Sequence, residues 1–332
     1  MRSHTVPQRL LKQFAYDDAV TKSLRLWRYA KGKPPYPRAS PKSATRLDGY
    51  FAVPSDAELE SRVEGRLARE IEDPVNGFLS DFSNPNFVLT DNQRLQMTRY
   101  VSLLFHRSRS RRSAGGHIGD RVVNALQKFL GNDRQLATVA AHWGMNNYFK
   151  GLRLRLITSE DVANAARRMV ADRKTASAEQ ESFVNGIVGA ISALDEVMLH
   201  GEWSMLRTTA DDPFILSDAP VVTWERLETG ILSYGLGTRE QNVEVVLPVS
   251  PISCLHILPA VARTRRPLVP KVQEINRGEA SFAYHACFAN QRKQEIDDIV
   301  QNCAGCVQFG RNAFTLWHRN YDNVVYDILM QQ

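Results

Sequence analysis

Long apolar runs are missing from this chain of 332 residues. No stretch approaches the ~18 consecutive apolar residues that a membrane-crossing helix requires. The opening Met1 to Lys12 has charges but no apolar core of the kind a secretory leader carries. A soluble, cytoplasmic protein with no membrane partner is therefore expected. Cysteine is scarce: Cys254, Cys287, Cys303 and Cys306 are the only four. That is too few for a disulfide scaffold in so long a chain, so reduced thiols are expected. Excess charge is small too, since 42 Lys and Arg against 36 Asp and Glu leave a net +6. Such a balance can attract a phosphate-bearing partner and equally suits plain solubility. Finally, no Walker-type phosphate loop, no Gly-x-Gly-x-x-Gly after a strand and no Gly-x-Ser-x-Gly elbow occurs, which disfavours nucleotide motors, Rossmann dehydrogenases and ordinary serine hydrolases. Gly235-Leu-Gly237 is too short to revive them.

What is present reads as an ordinary globular chain, with 43% apolar and 23% charged residues, enough for a sizeable core in one large domain. From about residue 56 to 199 apolar residues recur every three or four positions, as in Leu59, Val63 and Leu67, or Phe183, Ile187, Ile191, Leu194 and Met198. This predicts a helical lobe whose stripes are buried core. Val122, Leu126, Phe129 and Leu130 form another stripe, and Leu136, Val139, Ala140 and Trp143 follow a stop at Gly131 and Asn132. From Trp203 the texture turns to short apolar runs broken by Pro, Gly and Asp, including Pro213 to Asp218, Val243 to Leu247 and Ile252 to Leu258. These predict a mostly antiparallel sheet over about 203–317, with a last helix from Gln291 to Cys303 and short strands at Cys306 to Phe309 and Phe314 to Trp317. The fold class expected is α+β, the helical lobe packed on that sheet. An N-terminal segment (1–30) and a Pro- and Lys-rich stretch (31–55), expected to be a loop with no regular element, precede the helical lobe (56–199) and the sheet-rich lobe (200–332).

Four separated segments stand out. They are His4-Thr-Val-Pro7-Gln8 with Leu26-Trp27-Arg28-Tyr29 behind it, Phe105-His-Arg107-Ser-Arg109, Phe214-Ile-Leu-Ser217-Asp218-Ala-Pro220, and Leu247-Pro248-Val-Ser250-Pro251. In this order the chain resembles the domain-of-unknown-function family 4238. Its members open on a similar His-x-x-Pro-Gln segment, carry a helix ending in arginines, and have a Ser/Thr-Asp-x-Pro strand and a Leu-Pro-x-Ser-Pro segment. Here Thr5 stands where an aromatic is usual, and Ala219 follows Asp218 where Asn is usual. The resemblance implies where working residues should lie and names no reaction.

The residues must then be weighed on their chemistry. His4, with Gln8 beside it as a further catalytic candidate, lies in a segment whose Val6, Leu10, Leu11 and Phe14 should dock on the core. A histidine so fixed is a candidate acid, base or metal ligand, or one satisfied by a backbone carbonyl. Asp218 sits between apolar stretches, where a carboxylate must be paired or hydrogen-bonded. It is a catalytic or metal-binding group, or else an Asx-turn residue bonding its own downstream amide. Ser217 precedes it as a substrate-binding candidate. Arg107 and Arg111 continue the buried stripe of Met97, Tyr100, Val101 and Leu104 in steps of three and four, so both should face inward. Their partner would be Asp218, another internal carboxylate or the phosphate of a ligand; a charged helix end is the bland alternative. Arg109 and Arg112 should point to solvent. Cys303-Ala-Gly-Cys306 with His285 and Cys287 is a weak zinc set, core cysteines being the stronger expectation. His117-Ile-Gly-Asp120 is a weak metal spacing of the same kind, more often a loop with a helix cap.

Two expectations follow. One is an enzyme on a phosphate-bearing substrate, nuclease or phosphodiesterase-like and acting on nucleic acid or nucleotide. It would use His4 and Asp218 as acid/base groups or as ligands of a divalent metal, with Arg107 and Arg111 gripping phosphate. The other is a non-catalytic nucleic-acid or protein binding module in which the same residues form a structural charge network. In either case they should meet where the His4 segment, the arginine end of the helix starting near Asp91 and the Asp218 strand come together.

Overall fold

The computed structural model describes residues 2–48, 50, 58–108, 127–149, 158–173, 198–226, 232–234, 243–258 and 269–307. The chain divides into two compact units, one of residues 1–114 and 184–313, the other of 115–183 and 314–332. The fold class is α+β, and every pairing among the described strands is antiparallel. No described helix is long and apolar enough to cross a membrane.

In the first unit the N-terminal segment docks as its apolar spacing requires. After β1 (Arg2–His4) comes α1 (Gln8–Gln13), and Val6, Leu10, Leu11 and Phe14 lose all exposure. Burying four such side chains contributes on the order of 1.5–3 kcal/mol each as an upper estimate. Then follow β2 (Tyr16–Asp18), β3 (Ser23–Ala30), β4 (Lys33–Ala39) and β5 (Arg46–Asp48). The Pro- and Lys-rich stretch expected to lack regular structure thus holds two strands, Lys33–Ala39 and Arg46–Asp48. Proline removes a ladder donor, which a central strand cannot tolerate and an edge strand can. Among the described residues β4 pairs only with β3, through a register broken by two irregularities.

α2 (Leu59–Leu67) runs through a π turn (Ala68–Glu72) into the short α3 (Asp73–Asn76). The longer α4 (Asp91–His106) starts from a capping box in which Thr90 accepts from the Gln93 amide and Gln93 accepts in return. This satisfies donors that would otherwise be orphaned at the helix start.

β6 (Glu202–Arg207), β8 (Val222–Arg226), β9 (Leu232–Tyr234), β10 (Val243–Ser250) and β11 (Ser253–Leu258) make a sheet in the order β6-β11-β10-β8-β9. The central β10 is buried along its whole length. A second sheet runs β2-β3-β12-β7, from β7 (Leu216–Ser217) and β12 (Cys287–Ala289), with β4 added on β3.

Helix α7 (Val272–Phe282) serves both sheets. Ile275 and Phe282 pack with Val222, Trp224 and Val246, while Ala280 packs with Tyr29, Ile215 and Cys287. The approach to β8 is so close that a Cβ on Gly278 would come 2.9 Å from Val222 Cγ1 and 3.2 Å from the Trp224 ring. Helix α8 (Gln294–Cys303) covers the second sheet with Ile296 and Val300, close to the span expected for the last helix.

In the second unit the described helices α5 (Asp133–Phe149) and α6 (Ser159–Arg173) bury Leu136 and Ala140 against Val162 and Ala163. The stripe from Phe183 to Leu194, the strand at Phe314 to Trp317, and most of the one at Cys306 to Phe309 fall outside the described residues.

Candidate functional site

The N-terminal motif is fastened before any chemistry is considered. The Thr5 amide donates to the Thr45 carbonyl at 3.1 Å, and the Thr45 hydroxyl donates to the Val6 carbonyl at 3.0 Å. His4, half-buried at the end of β1, places Nε2 2.9 Å from the Lys42 carbonyl oxygen, so its ring donates to main chain. Gln8 opens α1, half-buried.

Arg107 faces inward as the helical phase predicts, with 1% exposure. It does so as the C-cap that ends α4 and not as a further turn of helix. Its Nε donates to the Thr5 carbonyl at 3.0 Å and its Nη1 to Glu72 Oε1 at 2.5 Å. The Tyr50 hydroxyl donates to the Arg107 carbonyl at 2.9 Å. Burial alone would lower the guanidinium pKa, but Glu72 and then Glu64 more than offset that and raise it. Of the partners expected, the internal carboxylate is the one present. Nη2 finds no hydrogen-bond partner among the described residues, nor does the buried Tyr100 hydroxyl. Burial, then the Glu72 charge, pushes the Tyr100 phenol far up. Arg109, Arg111, Arg112, His117 and Asp120 lie outside the described residues.

Asp218 is 4% exposed. Its Oδ1 accepts the Tyr284 amide at 2.7 Å and its Oδ2 the His285 amide at 2.8 Å, while its own amide donates to the Ala286 carbonyl at 3.1 Å. The carboxylate therefore chelates two consecutive amide donors in the turn after α7. The local turn is instead closed by Ser217, whose Oγ accepts the Ala219 amide at 3.2 Å. Arg107 is thus brought to the His4 segment, whereas these Asp218 bonds run to the α7–β12 turn.

Sequence reasoning missed the group beside Asp218. Glu279 of α7 has no exposure, and its Oε2 accepts the Ser217 amide at 2.7 Å. One turn earlier, Asn276 Oδ1 accepts the Ile215 amide at 3.0 Å. These two side chains take the place of a neighbouring strand along the outer edge of β7. Burial drives the Glu279 pKa well above the ordinary carboxylate range, the bonds to Ser217 oppose this, and the nearby Asp218 charge adds to it. Its Oε1 has no partner among the described residues.

A second missed cluster lies across the first sheet. His256 Nε2 is 3.0 Å from Glu244 Oε2, and its Nδ1 is 3.3 Å from the Ser204 hydroxyl. Arg226 lies between Glu244, at 3.8 Å, and Glu274, at 3.1 Å. The available signal was a single polar residue inside each of two apolar runs, Val-Glu-Val-Val and Cys-Leu-His-Ile.

The weak zinc set does not assemble. Among the described residues no three His, Cys, Asp or Glu side chains are grouped to hold a metal ion. Cys287 is sunk in the core, where burial pushes its thiol well up. Cys303 is half-buried, Cys306 is exposed, and all four thiols are free.

A family of proteins of unknown function, DUF4238, matches residues 2–293 of the chain. The chain belongs to this family. That DUF4238 match takes in His4, Arg107, Asp218 and Glu279 together. No curated protein and no solved structure matches the chain.

Proposed function

We propose that this DUF4238 protein is a non-catalytic binding module for a phosphate-bearing partner, nucleic acid foremost, and that His4, Arg107 and Asp218 tie the fold together. The observation that carries this reading is that each of the three is already engaged by the protein itself. His4 bonds the Lys42 carbonyl, Arg107 bonds Glu72 and Thr5, and Asp218 bonds two turn amides. A general base or phosphate clamp needs its polar atoms turned toward a ligand, and a carboxylate chelated by two amides spends its acceptors on stability. The net +6 of the chain supports an anionic partner.

A second reading, a hydrolase, has one observation in its favour. Glu279 and Asp218 are neighbouring carboxyls, and one of them has a strongly raised pKa, the arrangement in which one acid holds the proton while the other stays ionised.

Incubation with labelled single- and double-stranded DNA and RNA, with and without Mg²⁺ or Mn²⁺, separates the two. The expected result is binding that weakens with salt and no cleavage by the wild type, His4→Ala or Asp218→Asn. Metal-dependent cleavage by the wild type that is lost in both variants overturns the module reading.

A further inference from the structure

We propose that the β3–β4 hairpin is the surface that takes the phosphate backbone of a nucleic acid, an inference that rests on the module reading above and locates it. From Lys22 to Lys42 the chain carries Lys22, Arg25, Arg28, Lys31, Lys33, Arg38 and Lys42 without one Asp or Glu between them. Set those seven aside and the remaining 35 basic residues face 36 acidic ones, so the whole positive excess of the chain resides in this ribbon. Lys22, Lys31, Lys33, Arg38 and Lys42 are exposed, and Arg28 is half-buried. Three of the seven are partly engaged: Arg38 lies 3.7 Å from Asp18, Arg25 Nε donates to the Thr21 hydroxyl at 3.3 Å, and Lys31 donates to the Ala304 carbonyl. Among the described residues Lys22, Arg28, Lys33 and Lys42 make no ion pair and stay available for phosphate.

Three further observations narrow the partner. Pro34, Pro35 and Pro37 lie in β4, so its edge offers few amide donors to an added strand and recognition must run through side chains. Tyr36 is 55% exposed and stands directly opposite Arg28 on the same face of the pair, an aromatic platform beside a guanidinium, which suits an unpaired base next to its phosphate. The hairpin tip is also held in place. Gln301 of α8 accepts the Gly32 amide at 2.7 Å and donates to the carbonyls of Ala30 and Lys33 at 3.2 and 3.1 Å. Gly32 supplies the positive φ of 70° that this turn uses. A backbone fixed in this way has less to order on binding, which leaves the side chains as the main part to be immobilised.

The test is fluorescence anisotropy of a labelled 20-nucleotide single strand, titrated with full-length protein at several salt concentrations. The hairpin variant carries Lys22→Gln, Arg28→Gln, Lys33→Gln and Lys42→Gln. A control variant of equal charge change carries Arg66→Gln, Arg69→Gln, Arg167→Gln and Arg168→Gln, all exposed and on other elements. The expected result is at least a tenfold loss of affinity and a shallower dependence on salt for the hairpin variant, by about 0.7 in log–log slope for each phosphate contact removed. The control should stay near the wild type, and Tyr36→Ala should weaken single-strand binding several-fold more than duplex binding. Melting of the hairpin variant at the wild-type temperature shows that it is folded. Equal losses in both variants, or a loss confined to the control, overturn the hairpin assignment and leave the module reading standing. A wild type that binds no strand at low salt overturns both, as does one that binds only vesicles containing anionic phosphatidylserine.

Discussion

Among the described residues, Arg107 and Arg226 are set well into the first unit, and the protein neutralises them in opposite ways. Arg107, with 1% exposure, has one carboxylate partner, Glu72, and one carbonyl, and it caps the negative end of α4. Arg226, with 13% exposure, lies between the carboxylates of Glu244 and Glu274, and Glu244 is held in turn by His256. The first is a lone cation assembled from parts 102 residues apart in the chain, Thr5 and Arg107. The second is an acid-rich chain of groups spread over neighbouring strands and a helix start. Removing a member should therefore matter differently. A buried charge with a single ionic partner leaves that partner uncompensated, whereas a shared network redistributes.

The sharpest way to break the comparison is Arg107→Ala. It strands Glu72 and frees the Thr5 carbonyl, and urea unfolding should register a loss of about 3–5 kcal/mol. Arg107→Met, which fills the space without the charge, should recover part of it. An Arg107→Ala protein as stable as the wild type would mean that the guanidinium is held for a ligand and not for the fold. Glu244→Gln should cost less, about 1–2 kcal/mol, because Arg226 keeps Glu274 and the amide can still accept from His256. A loss equal to that of Arg107→Ala would erase the distinction.

The smallest effect, of opposite sign, belongs to a buried carboxyl with no cation partner among the described residues. Glu279 has its folded-state pKa raised well above the usual 4.5. The folded protein therefore holds its proton more tightly than the unfolded chain, and stability falls as the pH rises from about 4.5 toward that higher value. Glu279→Gln keeps an acceptor for the Ser217 amide and removes the ionisation. Its unfolding free energy should be flatter with pH over that window and about 1 kcal/mol higher than wild type at the alkaline end. An unchanged slope would show that Glu279 is not the group responsible.

Much of the frame was legible in the residues. The docking of Val6, Leu10, Leu11 and Phe14 follows from their spacing, and the inward aim of Arg107 follows from the phase of Met97, Tyr100 and Leu104. Its partner was not legible. Glu72 lies 35 positions away in an acidic run that reads like any solvated helix face, and only tertiary packing selects one member of that run. Glu279 was hidden for a similar reason. In Gln-Glu-Ile-Asn-Arg-Gly-Glu-Ala it looks like a surface acid, and burial comes from α7 serving two sheets at once. β4 was misread because proline is a reliable breaker of central strands, and nothing local announces that a strand will have a neighbour on one side only. The zinc set failed because spacing along the chain does not say that Cys287 points into the core while Cys306 stays at the surface.

Asn276 and Glu279 have one more consequence. Because they receive the amides of Ile215 and Ser217 along the free edge of β7, those two hydrogens are locked by a helix and not by a strand. Their exchange with solvent deuterium should then follow the lifting of α7 from the sheet, even where the β12 ladder stays closed. The opening of β7 and the undocking of α7 become a single event, and the edge of the sheet has the lifetime of the helix that shields it.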